Sequence, residues 1–128
     1  MKHVDICIII ILIILLASLA VFSATYITRS ASEVAENFQA IATAIEREDW
    51  PQARVLFNES RQRWQQVSKI WPMLINHDDM RDVEISFVDM MVLLQQENRE
   101  RAAREMANLR YYLDHVPDNE SFTWQNIL

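Results

Sequence analysis

The chain has 128 residues, a net charge of −6 and no glycine. The missing glycine excludes glycine-rich nucleotide motifs and disfavours tight β-hairpins, which need positive φ angles. The 12 basic residues form no block, so an extended surface for nucleic acid or anionic lipid is not expected.

An uncharged stretch close to the start dominates the first thirty residues. It runs from Ile6 to Phe22 and stays free of charge as far as Ile27. As a helix, residues 6–27 would extend about 33 Å, enough to cross a bilayer. We therefore predict a flank over 1–5, a transmembrane helix over 6–27 and one bundle domain over 28–128.

Two alternatives to a transmembrane helix exist for this stretch. A cleaved signal peptide would use "SLA" or "VFS" as its cleavage site, but the apolar character continues to Ile27. A lipoprotein is not expected, because Cys7 lies near the start of the apolar stretch and not after it. Lys2 precedes the span, which favours a cytoplasmic amino terminus and an extracytoplasmic domain in the cell membrane, as in a signal-anchor protein.

The first two bundle helices are predicted on either side of a turn at 48–50. The first covers about 29–48, with Ser30 or Ser32 as its N-cap, and continues the span because no proline or glycine interrupts it. In the second, Asp49 suits the N-cap and Pro51 the first turn. Pro72 should kink or end it. The apolar stripes are Val34, Phe38, Ile41 and Ile45, then Ala53, Phe57, Ser60, Trp64, Val67, Trp71 and Leu74.

A second pair of helices follows the turn at 76–80, where Asp78 or Asp79 is the expected cap. "QENRE" forms the next turn, and the fourth helix is expected to stop at Pro117. The stripes are Met80, Val83, Phe87, Met90 and Leu94, then Ala102, Met106, Leu109, Leu113 and Val116. Four amphipathic helices with short turns predict an all-α, antiparallel four-helix bundle. The core prediction names Phe57, Trp64, Phe87, Met90, Met106 and Leu109.

The two helical hairpins resemble each other. A shift of 49 residues places Val34 on Val83 and Phe38 on Phe87, and it places the polar break Glu48-Asp49 on Glu97-Asn98. A duplicated hairpin and a chance match of two amphipathic hairpins both explain this alignment.

The carboxyl end is unexpectedly apolar. Phe122, Trp124, Ile127 and Leu128 follow Pro117 and a polar stretch. We predict that this tail docks on the open end of the bundle, with a free tail for a partner as the alternative. Docking would bury side chains worth about 1.5–3 kcal/mol each.

No catalytic, cofactor or metal site is predicted. His77 and His115 lack the Glu-x-x-His pattern of di-iron bundles, and Asp78-Asp79 is ordinary capping. Glu46 and Glu48 belong to a solvated helix end. The soluble part has no cysteine nucleophile and no Gly-x-Ser-x-Gly elbow. Trp64 and Trp71 lie on the core stripe, which indicates packing more than a ligand cavity.

The segment "KIWPMLINHDDM" and the end "LRYYLDHVPDNESFTWQNIL" resemble a family of short membrane-anchored bacterial proteins known as domain of unknown function 4363. The family tail is similar to "HIP-x-x-E-x-x-S-x-x-NIL", represented here by His115, Pro117, Glu120 and Asn126-Ile127-Leu128. This chain departs from it in the aromatic stretch 123–125. The resemblance implies a spore-forming bacterium and small multi-span membrane proteins nearby. It implies no activity.

Three functions are compatible with a small membrane-anchored bundle. The preferred one is a non-catalytic, membrane-anchored interaction module of the bacterial envelope, an accessory subunit of another membrane protein. The alternative is an extracytoplasmic ligand-sensing bundle that acts through a partner. An enzyme is not expected. No nucleic-acid partner is expected, and a homo-oligomer is compatible with the preferred function.

Overall fold

The protein is described by a computed structural model that covers the backbone of residues 2–127 and the side chains of residues 2–116. The fold is all-α, as predicted. The helices are α1 (Lys2–Val34), α2 (Phe38–Glu46), α3 (Trp50–Val67), α4 (His77–Gln96) and α5 (Arg99–Ile127). Short 3₁₀ turns at Ala35–Asn37 and Trp71–Met73 join α1 to α2 and lie between α3 and α4.

Helix α1 carries the apolar stretch into the bundle without a break, which confirms that the first bundle helix continues the predicted span. The prediction of Ser30 or Ser32 as an N-cap was wrong, since both residues lie inside α1. A helix interior has no free amide group to cap. The Ser30 hydroxyl instead donates to the carbonyl of Tyr26, 2.6 Å away.

The 3₁₀ turn Ala35–Asn37 is braced from α3. A change from i→i−4 to i→i−3 bonding frees a backbone carbonyl for another donor. Arg63 Nη1 donates to the carbonyl of Glu33 at 3.3 Å and lies 3.5 Å from the Glu36 carboxylate. Asn37 also donates to the carboxylate of Glu59 at 2.8 Å. These contacts hold α3 against the turn.

The two hairpin turns have the same construction. Glu48 and Glu97, 49 residues apart, are the positive-φ residues of the described chain, with φ of 56° and 53°. Each precedes an N-cap, and the caps are Asp49, which accepts from the amide of Gln52, and Asn98, which accepts from the amide of Arg101. Asp49 was predicted as a cap. The shared geometry agrees with the alignment at a shift of 49 residues.

The connection between α3 and α4 differs from the hairpin turns. Helix α3 ends at Val67, before Pro72, so Trp71 lies in the 3₁₀ turn and not on α3 as predicted. The N-cap of α4 is Asn76, whose side chain accepts from the amide of Asp78 at 3.2 Å. The prediction of Asp78 or Asp79 as cap was therefore wrong, and both lie in the first turn, where acidic groups suit the helix dipole.

The core lies where the four stripes were predicted. Helix α2 packs most extensively on α3 and α4 on α5, while α5 also contacts α1 and α2 and so closes the bundle. All six residues of the core prediction are buried. Leu74 is half-buried, in contrast to the rest of its predicted stripe. The core also includes the end of α1, where the buried residues are Ile27, Ser30, Ala31 and Val34.

The prediction that α5 stops at Pro117 was wrong, because the helix continues to Ile127. A proline inside a helix removes one backbone hydrogen bond and disfavours the helix without always ending it. The predicted docking of Phe122, Trp124, Ile127 and Leu128 lies outside the described side chains.

Candidate functional site

The apolar part of α1 is not covered by the rest of the protein. Of the described helices, this one is long and apolar enough to cross a membrane, and its most apolar window of 18 residues is 0% buried. A core helix of a soluble protein would be mostly buried. The stretch thus presents a long exposed apolar surface, and it meets the bundle at Ile27.

A buried hydrogen-bond chain marks this junction. The indole N–H of Trp71 donates to the hydroxyl of Ser30 at 2.8 Å, and Ser30 donates in turn to the carbonyl of Tyr26. Trp71 is 0% exposed and Ser30 is also buried. A buried N–H without an acceptor is costly, so this bond fixes the connection between α3 and α4 against the base of α1.

The aromatic residues of the core next to this junction pack on one another. The rings of Trp64 and Trp71 meet edge to face with centroids 5.2 Å apart, and Trp64 stacks on Phe87 at 5.7 Å. Phe57 contacts Phe87 at 5.6 Å. Trp50, at the other end of the bundle, is buried as well. Trp50, Trp64 and Trp71 are therefore part of the packed core.

Helix α4 has a second apolar face that the sequence reasoning missed. Ile85, Val88 and Val92 are all exposed, on the side opposite the core stripe. Their spacing of three and four places them in one row along the helix. We call Ile85, Val88 and Val92 the α4 outer strip. The same spacing was visible in the sequence, but the stronger core stripe of α4 accounted for its apolar character.

The polar candidates remain separate. No group of three or more His, Cys, Asp or Glu that could hold a metal occurs within the described part of the chain. Asp78 pairs with Arg81 at 3.7 Å, and His77 is exposed at the start of α4. The ring of His115 stacks on that of Tyr111. The Nδ1 atom of His115 donates to the backbone carbonyl of Tyr111 at 2.8 Å.

The cleft between α3 and α4 is small. It encloses about 120 Å³ and is lined by Arg54, Phe57, Asn58, Met91, Leu94 and Gln95. Drug-sized ligands occupy pockets of about 300–1,000 Å³. Arg54, one of the lining residues, donates to the carbonyl of Leu94 at 3.2 Å, near the end of α4. The cleft is therefore smaller than the usual site for a drug-sized ligand.

Comparison with known proteins gives one match. No curated protein and no solved structure matches the chain. The sequence model of a family described as Domain of unknown function (DUF4363) matches residues 21–127, from the end of the apolar stretch through the whole bundle. That match covers well over half of the chain, and it is the family expected from the Trp-Pro segment and the Asn-Ile-Leu ending. The chain therefore belongs to the DUF4363 family.

Proposed function

We propose that the protein is a non-catalytic interaction module, anchored in the cell membrane by residues 6–27 and serving as an accessory subunit of another envelope membrane protein. Lys2, ahead of the span, favours a cytoplasmic amino terminus and an extracytoplasmic bundle.

The observation that carries this proposal is the α4 outer strip. Three β-branched or aliphatic side chains stand in a row on the outside of a bundle whose core is already filled. Rows of exposed apolar groups are typical of protein-interaction sites, whereas single exposed apolar residues are common on any surface. Val55 on α3 is such a single residue and serves as a comparison.

A membrane location makes the strip more effective. An anchored module meets its partner in two dimensions, and the span and the strip can bind the same partner at once. Linking two weak contacts raises the overall affinity through the effective concentration. A short apolar strip, which would be a weak site on a free protein, can therefore suffice here.

Photo-crosslinking in living cells tests the proposal. A photoreactive amino acid at Val88 of the full chain is expected to give one discrete adduct with a membrane protein. The same amino acid at Val55, which is 55% exposed on another helix, is the matched control and should not give that adduct. Val92→Asp, which puts a charge in the strip, should abolish it.

Three outcomes distinguish the alternatives. An adduct with a second copy of this chain would identify a homo-oligomer. Identical adducts from Val88 and Val55 would show that the strip has no preference and would contradict the proposal. A ligand-sensing bundle predicts instead that the adduct changes when a small molecule is added to the medium.

A further inference from the structure

The connection between α3 and α4 lies at the end of the bundle from which the span leaves. Trp71 in this connection donates to Ser30 of α1. Ser30 is three residues beyond Ile27, or about 4.5 Å of helix rise. The polar headgroup layer on each side of a bilayer is about 5–7 Å thick. The connection is therefore level with the headgroups if residues 6–27 span the membrane.

This connection exposes apolar side chains on both sides of a buried one. Ile70 is 44% exposed and Met73 is 83% exposed, whereas Trp71 between them is fully buried. Pro72 follows Trp71 in the 3₁₀ turn, so the chain direction here is restricted. Trp71 thus holds the turn inward, and Ile70 and Met73 remain on its outer side.

We propose that Ile70 and Met73 insert into the boundary between lipid headgroups and acyl chains, so that the connection forms a second membrane contact beside the span. We call Ile70 and Met73 the membrane-facing pair. The inference rests on the proposed membrane anchor. The inference extends the proposed anchor by giving the orientation of the bundle on the bilayer: the end that contains Trp71 faces the membrane.

Local charge favours lipid as the occupant. No acidic residue occurs from Ser60 to His77, although the chain has 18 acidic residues. The charged group next to the pair is Lys69, which is exposed. A lysine can extend its amine to the phosphate level while its stem stays in the apolar layer. Tyr26, on the neighbouring turn of α1, is half-buried and belongs to a residue type that is enriched at membrane interfaces.

The contact depends on apolar insertion and not on a basic surface. The bundle as a whole is acidic, so attraction to anionic lipid would be weak. Exposed methionine and isoleucine gain from leaving water for any bilayer. Neutral phosphatidylcholine is accordingly the right lipid for the test.

The test uses the full chain with a single reporter cysteine. Cys7, the one native cysteine, is replaced by serine, and Met73→Cys or Ile70→Cys is labelled with an environment-sensitive fluorophore. Val92→Cys is the matched control, because Val92 is 47% exposed but lies near the other end of α4. Each protein is reconstituted into phosphatidylcholine vesicles with and without lipid spin-labelled close to the headgroup.

We expect blue-shifted emission and quenching by spin-labelled lipid at positions 73 and 70, and neither effect at position 92. Water-like emission at 73 and 70 in a chain that resists carbonate extraction would overturn the inference while leaving the anchor intact. Quenching at 92 as well would mean that the bundle lies on its side, which also overturns it. Release of the whole chain by carbonate would refute the anchor itself.

Discussion

Ser30→Ala tests whether the junction between span and bundle depends on one buried hydrogen bond. The mutation removes the hydroxyl that accepts from Trp71 at 2.8 Å and leaves a fully buried indole N–H without that acceptor. An unsatisfied buried donor costs about 1–3 kcal/mol. Alanine is the better helix former by roughly 0.5 kcal/mol, which offsets part of the loss. We expect a net loss of about 0.5–2.5 kcal/mol in the free energy of unfolding.

A double-mutant cycle separates this bond from general effects of the mutation. With Trp71→Phe the donor is absent, so Ser30→Ala no longer leaves an unsatisfied group. The cost of Ser30→Ala should then fall by about 1–2 kcal/mol, within the range for residues in direct contact. Ser32→Ala is the matched control, because Ser32 is exposed on the same helix and should lose no stability.

The measurement is a denaturant titration of the full chain in detergent micelles, followed by far-ultraviolet circular dichroism. This signal does not depend on the tryptophan that is replaced. A coupling energy below about 0.3–0.5 kcal/mol, the usual range for independent sites, would refute the reasoning. It would mean that the connection between α3 and α4 is held by packing alone.

Three further predictions concern the core, the turns and the topology. Trp64→Ala should lower the free energy of unfolding by about 3–5 kcal/mol in the same titration, and a loss under about 1 kcal/mol would contradict its core position. Glu48→Gly should stabilise the chain by about 0.5–1 kcal/mol by relieving a left-handed residue, and a loss would contradict that geometry. Glu97→Gly should stabilise the chain by less than Glu48→Gly, because it also removes an exposed ion pair with Arg54. Carbonate should not extract the chain, and protease added outside intact cells should digest the bundle; protection would place it in the cytoplasm.

The stripes and turns were predictable because they depend on local pattern. Phe57, Phe87 and Met106 recur with the other members of their stripes at helical spacing, so their burial follows from that spacing. Asp49 was predictable as a cap because it stands directly before a proline-containing first turn. At Asn76-His77-Asp78-Asp79 three residues suit the cap equally well, and local chemistry alone could not select Asn76.

The features that were missed depend on contacts between distant segments or on competing preferences. Serine favours caps, so local pattern predicts Ser30 as a cap. Inside a continuous helix, however, its hydroxyl donates to the preceding turn and accepts from Trp71, 41 residues away. The local cost of proline is high, so the sequence predicts a helix end at Pro117, but α5 continues through it. The α4 outer strip was hidden by the core stripe on the same helix.

The helical path from α1 through the 3₁₀ turn into α2 would couple the orientation of the bundle to the tilt of the span. Glu46, the last residue of α2, is 19 residues beyond Ile27, or about 28 Å of helix. Transmembrane helices tilt by about 20° to match bilayer thickness, and such a tilt would carry the far end sideways by about 10 Å. The membrane-facing pair would resist that tilt from below. A bilayer that thins or thickens would therefore change either the angle of the bundle to the membrane or the insertion depth of Met73. Either change would alter the position of the α4 outer strip relative to a partner bound there.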